Sequence, residues 1–172
     1  MLSLFRGRST LLSLPWWLAI LTLLHGLAHD AGAAEKALPL PRFVSLREDE
    51  VNLRSGPGQR YPIDWVLTRK GMPVEILQEF DVWRKIRDAQ GSEGWVHERM
   101  VSGARTVMVT GAIRTLHADP DSAAPAVARA EPGVIADLLE CRDAWCRIDA
   151  QHVKGWVQRS EVWGVYAAEP VP

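Results

Sequence analysis

The chain has 172 residues, enough for one or two domains. Its 20 basic and 21 acidic residues leave a formal net charge of -1 at pH 7, so bulk charge provides no field to hold nucleic acid or an anionic membrane. The hydrophobic fraction, 47 %, suits a globular protein, although part of it is concentrated at the N-terminus.

"MLSLFRGRST" opens the chain with Arg6 and Arg8 and no acid. An apolar run follows from Leu11 to Ala28, and then "HDAGAAEKALP", with small residues at alternate positions. Basic start, apolar centre and small-residue site form the order of a secretory signal, predicted over residues 1–34. Cleavage after Ala34 uses Gly32 and Ala34 as the small positions, and cleavage after Ala33 uses Ala31 and Ala33. A retained membrane anchor is the rival reading, weakened by Pro15, His25 and Gly26 within the run. No Cys follows the run, which argues against a lipid-anchored start. Residues 35–42 and 167–172 are rich in Pro and Ala and are expected to be flexible.

The first structured unit is expected over Phe43 to Ser102. Val74, Ile76 and Phe80 alternate loosely with Glu75, Gln78 and Glu79. Turn signals at Lys70-Gly71, Phe80-Asp81 and Gln90-Gly91 separate short apolar runs. The stretch "VNLRSGPGQRYPIDW", Val51 to Trp65, concentrates Gly, Pro, Arg and aromatics between two such runs. A second unit is expected over Arg105 to Tyr166. In it, "LLECRDAWCRID" reads as a hairpin with its tip near Arg142-Asp143-Ala144. Cys141 and Cys146 flank that tip. An exported compartment permits a disulfide there, worth about 2 kcal/mol by chain entropy. The alternatives are a metal pair, for which only His152 is close, and a redox pair, which prefers Cys-x-x-Cys.

The two units repeat one another. At an offset of 62, Gly71 meets Gly133, Ile76 meets Leu138, Asp81 meets Asp143, Trp83 meets Trp145 and Ile86 meets Ile148. One deletion later, at 61, Gly94-Trp95-Val96 meets Gly155-Trp156-Val157. Beyond the N-terminal segment no stretch carries helical apolar spacing. The expected fold class is therefore all-β: two tandem small barrels, which hide strand edges by closure. Each has about sixty residues, near the lower limit for an independent core, so the two are expected to pack together.

The order "VNLRSGPG", then "YP", "KG", a hairpin Trp and "GWV" resembles the bacterial SH3-like domain family. The first unit matches over its whole length. In the second, "RTLHADPD" replaces the Asn-x-Arg-Ser-Gly-Pro signature, and the match is confined to the latter half. The resemblance implies two SH3-like barrels, each of about five strands ending in a 3₁₀ turn, here near His97 to Met100. It also implies a binding or targeting role, often toward cell-wall peptides, and leaves no catalytic domain beside the barrels.

Candidate ligand-binding residues all lie in the first unit: Asn52, Arg54, Tyr61, Trp65 and Trp83. Arg54 either pairs with a carboxylate such as Glu75 or Asp64, or grips the carboxylate of a peptide. Gly56-Pro57-Gly58 is either a structural corner with positive φ or part of a ligand-facing loop. Aromatics lining a groove bind extended peptides, and Trp in a small core is equally natural. Trp65 has no aromatic counterpart in the second unit, and Trp95 and Trp156 read as scaffold. No nucleophile motif, metal spacing or nucleotide signature occurs, so no cofactor is expected. The acidic run Glu48-Asp49-Glu50 reads as a solvated turn rather than a cation site. The expected function is non-enzymatic: binding of cell-wall peptide, or of an extended segment of a periplasmic protein. A periplasmic assembly module without wall affinity is the alternative, and a wall hydrolase or its accessory subunit a remote one.

Overall fold

The computed structural model describes residues 38–171, and the expected signal segment, residues 1–34, lies outside them. Fourteen strands fall into two sets of seven. The first set is β1 (Arg42–Leu46), β2 (Glu50–Arg54), β3 (Ile63–Thr68), β4 (Pro73–Phe80), β5 (Trp83–Arg87), β6 (Glu93–His97) and β7 (Val101–Ser102). The second is β8 (Thr106–Val109), β9 (Arg114–His117), β10 (Ala126–Ala130), β11 (Ile135–Arg142), β12 (Trp145–Ala150), β13 (Val153–Gln158) and β14 (Val162–Trp163). Their orders are β3-β2-β6-β5-β4-β1-β7 and β10-β9-β13-β12-β11-β8-β14, the same topology twice. A 3₁₀ turn, Glu98–Met100 or Arg159–Glu161, precedes each last strand. The all-β tandem expectation holds. The strand count exceeds five because the loop after β2 returns as β3, and because a two-residue closing strand pairs with β1.

The repeat extends to backbone conformation. Asp81 and Asp143 both take left-handed φ, 51° and 49°, at two-residue hairpin tips. Asp tolerates that region because its short side chain bonds locally. The ladders slip one residue at matching places, between Ile76 and Gln78 and between Leu138 and Glu140. This bulge bends the long strand so that a small sheet can curl.

Both cores are aliphatic. Leu46, Val51, Leu53, Ile76, Ile86 and Val96 fill the first; Val107, Val109, Leu116, Ile148 and Val157 fill the second, with Cys146 among them. Each such side chain contributes about 1.5–3 kcal/mol on full burial. The tryptophans of the described residues belong to neither cluster, so Trp is not what fills these small interiors. Gly94 is needed for closure: a Cβ there would lie 2.5 Å from Leu53 Cγ and 2.9 Å from the Arg54 carbonyl oxygen.

The barrels meet across a mixed interface. The Ser45 and Thr106 hydroxyls are 2.6 Å apart, and each also lies within 2.7 Å of a carbonyl, that of Ala104 and Gly71 respectively. With one proton on each hydroxyl, two of these three contacts are hydrogen bonds at any one time. Glu75, 3 % exposed, accepts from Arg87 Nε and Nη2 at 3.0 and 2.5 Å and from the Tyr166 hydroxyl at 2.7 Å. Phe43 of the first barrel packs on Trp163 and Tyr166 of the second, with ring centroids 5.0 and 4.7 Å away. Arg69 Nη1 donates to the Gly133 carbonyl at 2.5 Å.

The segment after Tyr166 is not a loose tail. Arg105 grips the Glu169 carboxylate with both Nη atoms, and the Tyr166 N–H donates to Glu169 Oε2 at 3.1 Å. Arg159 donates to the Tyr166 and Glu169 carbonyls, and the Cys141 N–H to that of Val171. Of residues 35–42, Arg42 is likewise ordered: it opens β1 and bonds Glu79 at 2.5 Å.

Candidate functional site

Along β2, Val51 and Leu53 point into the core while Glu50, Asn52 and Arg54 point outward, as strand alternation requires. The outward row forms one wall of a groove of about 350 Å³. Gln59, Trp83, His97, Arg99 and Met100 complete it, bringing strands β5 and β6 and the 3₁₀ turn beside β2. The groove thus unites three of the five candidate residues, Asn52, Arg54 and Trp83.

Tyr61 and Trp65 do not line it. Trp65 lies opposite Leu53 in the β2–β3 ladder and so leaves on the opposite face from Asn52 and Arg54. It is 64 % exposed. The Tyr61 ring lies against the loop: a Cβ at Gly56 would meet it at 2.5 Å, and one at Gly58 at 3.4 Å. Neither glycine has positive φ. They are required for close approach of the ring, not for a left-handed turn. The Arg60 guanidinium covers the same ring at 5.2 Å.

Arg54 pairs with neither Glu75 nor Asp64. Its Nη1 donates to the Gln59 and Tyr61 carbonyls at 3.2 and 2.8 Å, so it braces the loop. The cation left for a ligand is Arg99, which sequence reasoning missed. Its side chain is exposed and makes no hydrogen bond among the described residues, and the same holds for Asn52. His97 Nδ1 accepts from the Arg99 N–H at 3.2 Å, so the neutral ring carries its proton on Nε2. The His97 and Trp83 rings meet edge to face at 5.6 Å. The groove therefore offers a guanidinium and an amide beside an aromatic floor. That set suits a carboxylate and an extended backbone.

The second barrel keeps the geometry and loses the charge. His117 stands where Arg54 stands, each opposite the Trp of Gly-Trp-Val in its ladder. Its Nδ1 lies 2.9 Å from the Ala124 carbonyl, seven residues on, just as Arg54 reaches Tyr61. Trp145 meets His117 edge to face at 5.6 Å. Ser160 replaces Arg99, Thr115 replaces Asn52 and Ile113 replaces Glu50. The reading of "RTLHADPD" as a replaced signature missed this shared role, because His and Arg share no charge pattern but both donate N–H to a carbonyl.

A larger cleft of about 570 Å³ lies between the barrels. Its charged groups are engaged internally: Asp88 accepts from the Gln90 and Ser92 N–H groups at 2.9 and 2.8 Å, and Arg69 holds Gly133. Among the described residues, no group of three or more His, Cys, Asp and Glu is gathered as metal ligands. Cys141 and Cys146 form a disulfide across the β11–β12 hairpin.

Fold and groove define a class: tandem small β-barrels, the first with a groove lined by Asn52, Arg54, Trp83 and Arg99. A family model described as "Bacterial SH3 domain" matches residues 47–103 and 111–164. The chain belongs to the bacterial SH3 domain family, with two copies. It is 26 % identical over 125 residues to "Putative N-acetylmuramoyl-L-alanine amidase YrvJ" of Bacillus subtilis. That match covers 66 % of this chain and 24 % of the relative, so the chain spans about a quarter of that protein's length. Structures of NlpC2 and NlpC1 from Trichomonas vaginalis align over 74 % and 75 % of the chain and 49 % and 48 % of their own. Identity is 12 % and the TM-score 0.34 in both cases, a likeness too low to carry an inference.

Proposed function

We propose that the chain is an exported, non-enzymatic protein whose first barrel binds a carboxylate-bearing extended peptide of the cell wall. The observation that carries this reading is the pairing of Arg99 and Asn52, unspent by internal partners, with the Trp83–His97 floor. Family membership and a relative named as an N-acetylmuramoyl-L-alanine amidase support a wall peptide over other peptides. The basic, apolar and small-residue order of residues 1–34 supports export. Both cysteines are consumed in the disulfide, which removes the thiol nucleophile a cysteine-dependent hydrolase would use. The second barrel, lacking the groove's cation, serves as the brace.

The test is co-sedimentation of the purified chain with peptidoglycan over a range of salt. Saturable binding that is lost in the double variant Asn52→Ala/Arg99→Ala, with Arg54→Ala weakened through its loop, is expected. Unchanged binding in the double variant overturns the site, and reproducible turnover of muropeptides overturns the non-enzymatic reading.

A second reading, an assembly module without wall affinity, draws on strand β3. Among the described residues it pairs with β2 alone, leaving one edge of its backbone without a strand partner there, and exposes Ile63, Trp65 and Val66. An open edge with apolar side chains is a template for strand addition. A concentration-dependent dimer together with no peptidoglycan binding at any salt would establish it.

A further inference from the structure

The two tryptophans of the Gly-Trp-Val motifs occupy the same position in their barrels: Trp95 lies opposite Lys85, and Trp156 opposite Arg147. Their environments differ. Trp156 is only 5 % exposed, and the Arg142 guanidinium lies over its ring at 5.1 Å. Glu140 holds that guanidinium in place through Nη2 and Nε at 2.8 and 3.1 Å. The position matching Arg142 in the first barrel is Phe80, each being the last residue before its Asp tip and opposite the hairpin Trp. Phe80 is 60 % exposed, and no cation lies over Trp95 among the described residues. Instead, Trp95 and Phe80 line an open groove of about 490 Å³ with Leu40, Pro57 and Leu77.

We propose that this groove is a second binding site, taking the basic side chain of a polypeptide partner over Trp95 as Arg142 sits over Trp156. Three observations converge on a cation. The same fold position in the same chain already holds a guanidinium on the indole. An electron-rich ring face attracts a positive charge, most strongly when that face is Trp. Finally, Gln78, in the place of Glu140, lines the groove, beside a Glu79 carboxylate already shared by Arg42 and Arg84. The apolar wall of Leu40, Pro57 and Leu77 matches the methylene stem of an Arg or Lys, which packs along apolar surface while its head stays polar. This site is separate from the groove of Asn52 and Arg99, and the two stand or fall independently.

The experiment is an NMR titration of the full chain, following the indole N–H of Trp95 assigned with Trp95→Phe. The probes are a short Arg-containing peptide, acetylated and amidated, and its citrulline counterpart, which has the same shape and no charge. Expected is a saturable shift of Trp95 with the Arg peptide, and binding weakened about fivefold or more with citrulline. Phe80→Arg should place the chain's own guanidinium on the ring and abolish the response while the other resonances stay in place. Arg142→Phe should open the second barrel, so that Trp156 begins to respond. Equal binding of the two peptides, no response at Trp95, or a full response in Phe80→Arg overturns the proposal. A Trp156 that stays silent in Arg142→Phe overturns the equivalence on which it stands.

Discussion

The two barrels solve one structural problem with different chemistry. In each, a long two-strand hairpin projects beyond the core and must be pinned near its tip. In the second barrel the pin is the disulfide between Cys141 and Cys146, which are cross-strand partners. In the first, the equivalent partners are Glu79 and Arg84, joined by an ion pair at 3.0 Å. Arg42 and Glu98 extend that pair into a four-residue network. A covalent bond acts on the unfolded chain by limiting its freedom, whereas an exposed ion pair acts only on the folded one and is screened by salt. The pattern recurs one residue on, where Arg142 closes the face of Trp156 and Phe80 leaves that of Trp95 open. At the matching indole the second barrel covers the ring with its own guanidinium, and at the place of Arg99 it carries Ser160, whereas the first leaves Trp95 uncovered and Asn52 and Arg99 unspent. This difference is what a division into brace and binding unit requires.

The sharpest way to break the comparison is to remove the covalent pin. Cys141→Ala/Cys146→Ala is expected to cost about 2 kcal/mol, the chain-entropy value for so small a loop. Urea unfolding at neutral pH measures it, with the wild type in reductant as the parallel. Because the barrels share the Glu75–Tyr166 and Ser45–Thr106 contacts, the loss should lower one common transition. Equal midpoints for variant and wild type would show that the hairpin holds without the bridge.

The interface itself comes next. Tyr166→Phe removes one of the hydrogen bonds to the buried Glu75 carboxylate, at an expected cost of about 1–3 kcal/mol, nearer the lower figure because Arg87 still pairs with it. The pH profile carries the same information. Burial, and then the hydrogen bond to Glu75, raise the Tyr166 pKa above its ordinary value. A raised folded pKa favours the protonated hydroxyl, so this contribution is complete below about pH 10 and is lost as pH rises beyond it. Glu169 contributes to the acid limb, together with Glu93 and Glu140, whose carboxyls are also held below the ordinary range by Lys and Arg partners. Burial pushes the Glu169 carboxyl up, but the Arg105 hydrogen bond, the Tyr166 N–H and nearby guanidinium charge outweigh it, and the pKa is lowered. Its contribution is present above the ordinary carboxylate range and is lost as pH falls through that range and below. In Tyr166→Phe the alkaline limb should flatten while the acid limb stays; a wild-type alkaline limb in the variant would assign it to another group.

How much of this was legible beforehand depended on whether the cause was local. The strand runs, the Asp tips and the Cys hairpin are set by neighbours within a few residues, and sequence pattern reports them; the 3₁₀ turn came from the family resemblance. Pattern alone leaves open whether Trp fills the core, and both clusters turn out to be built of aliphatic side chains, with Cys146 in the second and no described Trp in either. Arg99 was invisible as a groove cation because it reaches Asn52 only after β6 and the 3₁₀ turn fold beside β2. Tyr61 and Trp65 were grouped with Asn52 by proximity in sequence. A ladder that pairs Trp65 with Leu53 sends it the other way. The C-terminal segment looked loose because its anchor, Arg105, lies 64 residues from Glu169. Such pairings leave no local trace.

The smallest effect tests the comparison most finely. Glu79→Gln removes the carboxylate shared by Arg42 and Arg84 in the first barrel, at the position of Cys141 in the second. The side chains are 16–27 % exposed, so solvent screens them and the expected loss is about 0.2–1 kcal/mol. The signature is the salt dependence rather than the size. At low ionic strength the variant should unfold slightly earlier than wild type, and in about 1 M salt, where the screening length falls to about 3 Å, the two should converge. The disulfide variant should show no such convergence, because its deficit lies in chain entropy. A Glu79→Gln deficit that persists undiminished in high salt would mean that packing of the side-chain stem, not charge, pins the first hairpin.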